Sequence, residues 1–297
     1  MTGEKYQYGI DFDAIDAIDI HTHVEADDHG HQAYDDELIA ATKQYFKLCT
    51  ELTTVDGVAE HYRQRNTAAV VFTIDSQTVS GRPPNSVENL VEGAARNNDV
   101  LIPFGTVDPL TGEHAVRGVH QQVGEFGVKG FKFHPSLQGF EPNDRSCYPI
   151  YAAIAEAGVP ALFHTGQTGI GSGLPGGYGV KLRYSDPMLL DDVAADFPDL
   201  TIVMAHPAVP WVDAQISIAT HKSNVYIDLS GWSPKYFPPQ LVRAANRQLR
   251  TKVLFGTDYP YIQLDRWRRD FETLDMDPEV LPLIFKDNAL RVLGVTS

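Results

Sequence analysis

Eight short runs rich in β-branched and aromatic residues recur along the chain, separated by longer stretches with helical periodicity. They are AIDIHTH (17–23), AAVVFTI (68–74), VLIPFGTV (100–107), VKGFKFH (128–134), VPALFHT (159–165), LTIVMAH (200–206), NVYIDLS (224–230) and KVLFGTD (252–258). Near-continuous apolar runs alternating with amphipathic segments such as SVENLVEGAARNN and EHAVRGVHQQVGEF read as parallel strands joined by crossover helices. Eight such units predict an α/β chain folded as a (β/α)8 TIM barrel. An open doubly wound sheet is the competing arrangement, but neither GxGxxG nor GxxxxGK(S/T) follows the early strands. The 297 residues are then one barrel domain, 1–297, with PEVLPLIFKDNALRVLG as a closing helix.

Two connections exceed an ordinary βα loop. Residues 24–53 follow the first strand, and residues 166–184, with seven glycines, follow the fifth. Insertions at the C-terminal ends of barrel strands commonly cover an active site.

Composition excludes several classes of function. Twenty-four Lys and Arg against 39 Asp and Glu give a net charge of -15, a field that repels nucleic acid and anionic lipid. Cys49 and Cys147 form no CxxC, so neither a disulfide framework nor a thiolate metal site is expected, and a reducing cytoplasm fits. MTGEKYQYGIDFDAID carries no signal-peptide pattern, and no apolar stretch is long enough to span a bilayer.

The ends of the strands carry the chemistry. In IDIHTH, His21 and His23 are two apart, so on a regular strand both face one way while Ile18, Ile20 and Thr22 alternate around them. LFHTG ends the fifth strand with His164, VMAHP the sixth with His206, and LFGTDYP the eighth with Asp258. Four strands of one barrel thus aim imidazoles and a carboxylate into one mouth, the nitrogen and oxygen donors that suit Zn or Mn. GFKFHP adds Lys132 and His134 on one face, with Phe131 and Phe133 on the other. A buried Lys132 has four readings: neutralising a substrate anion, pairing with Asp258, bridging two metals as a carbamate, or resting against interior carboxylates. His134 faces the substrate or supports a ligand.

Around that mouth, Tyr178, Lys181 and Arg183 of the fifth-strand loop, with Arg145, point to an anionic substrate group. Trp211, Trp232 and Tyr259, after strands six to eight, form a candidate aromatic wall, with Tyr236, Phe237 and Tyr261 beside them. The aromatic segment WSPKYFPP is a candidate subunit interface in a homo-oligomer.

IDIHTH, GFKFHP, LFHTG, VMAHP and LFGTDYP, in this order over nearly the whole chain, resemble the amidohydrolase superfamily and, within it, the amidohydrolase-2 branch of metal-dependent hydrolases and decarboxylases. The resemblance implies one divalent metal, Zn before Mn, with His21, His23, His164 and Asp258 as ligands. It gives His206 the task of polarising a metal-activated water or moving a proton, with Asp258 sharing that work. The spacing also resembles a subgroup that hydrolyses a carbon–carbon bond in aromatic β-ketoacyl-CoA thioesters. That makes an anionic, aromatic, CoA-linked small molecule the first expectation for the substrate. Decarboxylation of a hydroxylated aromatic acid is the alternative, and a non-catalytic binding barrel is the alternative from another class.

Overall fold

The computed structural model describes residues 5–27, 30–48 and 53–295; Cys49 lies outside them. Eight parallel strands form at the expected places: β1 (Ala17–His23), β2 (Thr67–Phe72), β3 (Leu101–Pro103), β4 (Phe131–Phe133), β5 (Ala161–His164), β6 (Ile202–Ala205), β7 (Val225–Asp228) and β8 (Val253–Leu254). β1 to β3 and β4 to β8 pair in sequence order, and the bridges Gly105–Phe131 and Thr22–Tyr259 join the two sheets into a closed barrel. Closure leaves no free sheet edge and gathers all the strand ends at one mouth.

The helix α1 (Asp36–Phe46) lies in the first insertion. The crossover helices are α2 (Val55–Arg63), α3 (Val87–Arg96), α4 (Glu113–Gln121), α5 (Tyr148–Glu156), α6 (Met188–Asp196), α7 (Val212–His221), α8 (Pro239–Asn246) and α9 (Leu264–Phe271), and α10 (Asn288–Val292) follows. Asp35, Thr54 and Ser86 cap α1, α2 and α3 by accepting from Leu38, Gly57 and Asn89 backbone N–H groups, donors a helix start otherwise leaves unpaired.

Strand residues divide between two layers. Phe131, Phe133, Phe163, Met204 and Ile227 pack outward with helix residues such as Trp267, while Ile18, Ile20, Val70, Leu162, Val203 and Leu254 fill the interior. Lys132 registers with Leu162 and so faces inward, as the alternation within GFKFHP predicts.

β1 departs from the expected alternation. Ile18 and Ile20 both face the interior, yet His21 also turns inward, its Nε2 lying 3.1 Å from Lys132 Nζ. The cause is a break in register between Asp19 and Thr22, a bulge that re-aims the side chains after it. Asp19 faces outward and ties the ends of β1 and β8 together. It accepts from the Tyr62 hydroxyl at 2.6 Å, the Thr257 hydroxyl at 2.6 Å, and the backbone N–H groups of His21 and Thr257 at 3.0 and 3.1 Å.

Candidate metal centre

At the mouth, His21 Nε2 lies 3.3 Å from His23 Nε2, and Asp258 Oδ1 stands 3.2 and 3.1 Å from these two nitrogens. The ring of His164 lies 4.7 Å from that of His206, and its other neighbour is His134, stacked face to face at 3.8 Å. His164 Nε2 is buried and has no hydrogen-bond partner, which is costly unless something else binds its lone pair. His21, His23 and Asp258 have ligand atoms close enough to share one divalent cation, and His164, lining the same cavity with its Nε2 unsatisfied, is the candidate fourth ligand.

A second trio, His21, His206 and Asp228, also has ligand atoms close enough to share an ion. Its facing atoms are already used: Asp228 Oδ2 takes His21 Nδ1 at 2.9 Å, and Ser230 Oγ lies between the two Nδ1 atoms. Asp228 and Ser230 thus back the ring of His21 from the side away from His23 and Asp258. Each histidine of the HTH motif has such backing, since Glu25 Oε1 stands 3.0 Å from His23 Nδ1. That pair is at ion-pair distance without hydrogen-bond alignment, so His23 Nδ1 counts as unpartnered. Glu25 is held in turn by the Tyr261 hydroxyl at 2.8 Å.

Protonation follows these contacts. Burial opposes ionisation of Asp258, but hydrogen bonds to His21 and His23 overcome it and hold the carboxyl well below its usual range. Against burial, the charge and hydrogen bond of His21 bring Asp228 down to about 2. Burial suppresses charge on His164 and, reinforced by His134 and His206, keeps it neutral; burial likewise lowers His206 to about 4 and Lys132 to about 8. For His23, burial is outweighed by Asp258 and Glu25, and the pKa rises. Desolvation lifts Asp19 to about 6.

These shifts set opposite pH dependences. Between about pH 4 and 2, unfolded chains bind more protons at position 228 than folded ones, so stability present above pH 4 is lost as pH falls. At Asp19 the folded state holds the proton longer, so stability falls as pH rises from about 4 to 6. The neutral His206, with His164 acting in the same sense, adds a loss of stability as pH falls from about 6.5 to about 4 that opposes the Asp19 slope, and Asp258 shares the acid limb. The Asp228 contribution is therefore read as a difference: urea midpoints of metal-free Asp228→Asn should show a shallower fall between about pH 4 and 2 than the wild type, and an unchanged acid limb would refute it.

Backbone geometry marks two of these strand ends. His206 and Asp258 both have φ of 69°, a region that disfavours side chains other than Asn, Asp and glycine. Beside His206, Gly231 has φ of 75°, and a Cβ there would stand 2.3 Å from His206 Nδ1. Gln215 Nε2 donates to the His206 carbonyl at 2.7 Å.

The cavity over the cluster holds about 40 Å³ and is lined by His23, His134, His164, His206 and Asp258, with Phe46, Gln167, Thr168, Gly169, Ile170, Gly231, Trp232 and Tyr261. That is room for about one water, far below the roughly 300 Å³ at which organic-ligand pockets begin. The roof comes from both insertions. Phe46 of α1 lies 4.7 Å from the Tyr261 ring, and Gly169 packs so closely beneath Phe46 that a Cβ would meet its ring at 2.5 Å. The Tyr178 hydroxyl donates to Asp35, the cap of α1. Admission of an organic substrate requires this roof to lift.

Of the residues singled out from sequence, His21, His23, Lys132, His134, His164, His206, Trp232, Asp258 and Tyr261 come together. The other expected substrate contacts are placed elsewhere. Arg145 is exposed, pairing with Asp196 at 3.1 Å and covering Tyr148. Arg183 reaches Glu141 at 3.5 Å, and Arg183 and Lys181 both lie over Tyr184. Tyr178 is an exposed roof residue, Trp211 stands at the start of α7, and Tyr259 turns away to stack on His61 at 4.4 Å. For Tyr178, Lys181 and Arg183 the reason is that a long loop in an acidic protein finds carboxylates and rings on its own surface. Phe46, Glu25, Asp228 and Ser230 escaped notice, although Asp228 ends an apolar run as the ligands do and Glu25 sits two residues after His23. Among the described residues no helix is long and apolar enough to cross a membrane.

A family model described as amidohydrolase matches residues 18–295. None of the curated proteins matches. Among solved structures, an uncharacterized TIM-barrel protein from Bordetella bronchiseptica is 24% identical, with a TM-score of 0.78 over 94% of this chain and 98% of that one. A 5-carboxyvanillate decarboxylase from Novosphingobium aromaticivorans, with manganese and 3-methoxy-4-hydroxy-5-nitrobenzoic acid, is 16% identical, with a TM-score of 0.67 over 98% of this chain and 100% of that one. A 2,6-dihydroxybenzoate decarboxylase complexed with 2,6-dihydroxybenzoate is 14% identical, with a TM-score of 0.67 over 95% of this chain and 99% of that one. At these identities the likeness speaks to the barrel alone.

Proposed function

The chain belongs to the amidohydrolase family, and on that premise we propose that it is a metal-dependent carboxy-lyase acting on a hydroxylated aromatic acid. The observation that carries this reading is the cavity wall: Phe46, Trp232 and Tyr261 enclose the ligand cluster, whereas Arg145, Lys181 and Arg183, which pointed to an anionic substrate group, lie outside it. Rings on the wall suit a planar aromatic acid, and the two solved decarboxylases that share the barrel hold such acids.

His21, His23, His164 and Asp258 would hold one divalent ion, Mn as readily as Zn, and the ion would supply a Lewis acid for the carboxylate and phenolate oxygens of the substrate. Around it, the chain does the remaining work. Phe46 and Tyr261 shut water out when the roof is down. Lys132, buried below His21, adds positive charge beside an anionic ligand. When the bond between ring and carboxylate breaks, its electron pair stays on the ring carbon, which must take up one proton as carbon dioxide departs. With a pKa of about 4, His206 is neutral near pH 7, so it would hold the departing carboxylate by a hydrogen bond rather than give up a proton, and the ring carbon would take its proton from a water whose hydroxide leaves with the carbon dioxide as bicarbonate. Hydrolysis of the β-ketoacyl thioester is the second reading, favoured by motif spacing alone.

Protein loaded with Mn2+ or Zn2+ should release carbon dioxide from 2,6-dihydroxybenzoate or 5-carboxyvanillate, and chelation should abolish the release. Chelator-sensitive formation of 4-hydroxybenzoate from a hydroxyphenyl β-ketoacyl thioester, with no carbon dioxide from either acid, would overturn the carboxy-lyase reading in favour of the hydrolase.

A further inference from the structure

Ser230 follows β7 by two residues and is fully buried. Its Oγ lies 3.0 Å from His21 Nδ1 and 2.8 Å from His206 Nδ1. A hydroxyl donates one hydrogen and can accept two, so the two histidines cannot both receive from it.

The His21 side is determined twice over. Asp228 Oδ2 stands 2.9 Å from the same Nδ1, and a carboxylate there can only accept. Independently, His21 Nε2 is the atom turned toward His23 and Asp258, so a neutral His21 that gives this lone pair to a metal carries its hydrogen on Nδ1. His21 Nδ1 thus carries a hydrogen directed at Asp228 and cannot accept from Ser230, and among the described residues the other partner of Ser230 Oγ is His206 Nδ1, so a hydroxyl hydrogen not given to His206 would be buried and unsatisfied.

We infer that Ser230 is a positioning residue that locks His206 in the tautomer with hydrogen on Nε2, so that this imidazole meets the cavity as an N–H donor and not as a lone pair. Two contacts keep the ring from reversing: the Gly231 backbone packs against Nδ1, and Gln215 holds the His206 carbonyl. A neutral N–H donor at this place suits a group that holds the departing carboxylate by a hydrogen bond, and would serve poorly as the base that first activates water. The inference rests on the proposed role of His206 for its catalytic meaning and on hydrogen-bond geometry for its substance.

The test is the tautomer itself, read in full-length Zn-loaded protein labelled with 15N-histidine. Two-bond proton–nitrogen correlations separate the two neutral forms, and His206→Asn identifies the signal. The wild type is expected to show hydrogen on Nε2 of His206. In Ser230→Ala that signature should shift toward the Nδ1-protonated form, with kcat lowered about 10- to 100-fold, the range for losing a group that orients a site residue, and KM within about twofold. An Nδ1-protonated His206 in the wild type, or an unchanged tautomer in Ser230→Ala, would overturn the inference. The wild-type spectrum decides even if the variant does not fold, and it needs no substrate, so a wrong substrate class would appear as absent turnover beside an intact tautomer signature.

Discussion

Asp258→Asn is expected to lower divalent-metal affinity by about 100- to 3000-fold while leaving the barrel folded. Asn tolerates the left-handed backbone that position 258 adopts at φ 69°, so the substitution changes charge without changing conformation. What it removes is the one carboxylate in the cluster, buried against His21 and His23 at 3.2 and 3.1 Å. Losing one partner of a buried charge pair costs about 3–5 kcal/mol, and each 1.4 kcal/mol is about tenfold in binding. Competition against a chromophoric chelator gives the affinity directly, and the metal-free melting temperature reports the fold. Stoichiometric metal held at wild-type affinity would transfer the site to the Asp228 trio.

Gly231→Ala should separate the proposed work of His206 from metal binding. An L-residue forced to φ 75° loses about 1–2 kcal/mol, and its Cβ would stand 2.3 Å from His206 Nδ1, well inside van der Waals contact. The imidazole must yield by about 1 Å, a displacement of the size that costs about 100-fold in turnover. No ligand nitrogen or oxygen of the His21, His23, His164 and Asp258 set is touched, so metal content should stay at one per chain while kcat falls about 100-fold and the melting temperature drops by a few degrees. Undiminished turnover would remove His206 from the chemistry.

The barrel was legible in the sequence because each strand is buried on both faces, which leaves short apolar runs with little ambiguity. Two crossover helices were not. VDAQISIATH of α7 buries only Val212, Gln215, Ile218 and Ala219, too mixed a face to stand out, and LDRWRRDF of α9 hides Leu264, Trp267 and Phe271 among charges. The cluster at the mouth was legible because a polar residue ending an apolar run is conspicuous. Its support was not, since Asp228 meets His21 across 207 positions and Tyr261 meets Glu25 across 236. His21 and His23 converge as expected, but Ile18 and Ile20 share the interior with His21, because a bulge changes which face a side chain occupies without leaving a mark in the alternation. The loop cations failed as guides because charge in a long segment states nothing about which way the segment folds.

The shared left-handed backbone at His206 and Asp258 has a consequence for how such a chain changes over generations. Glycine would sit at either position without steric cost, so a lineage selected only for a sturdier barrel would drift toward glycine at both and lose its reactivity in the same steps. A histidine and an aspartate standing there set robustness of the scaffold against chemistry at the mouth. Any effort to make this protein more heat-resistant therefore has to hold these two residues fixed, however favourable their replacement looks to a stability criterion.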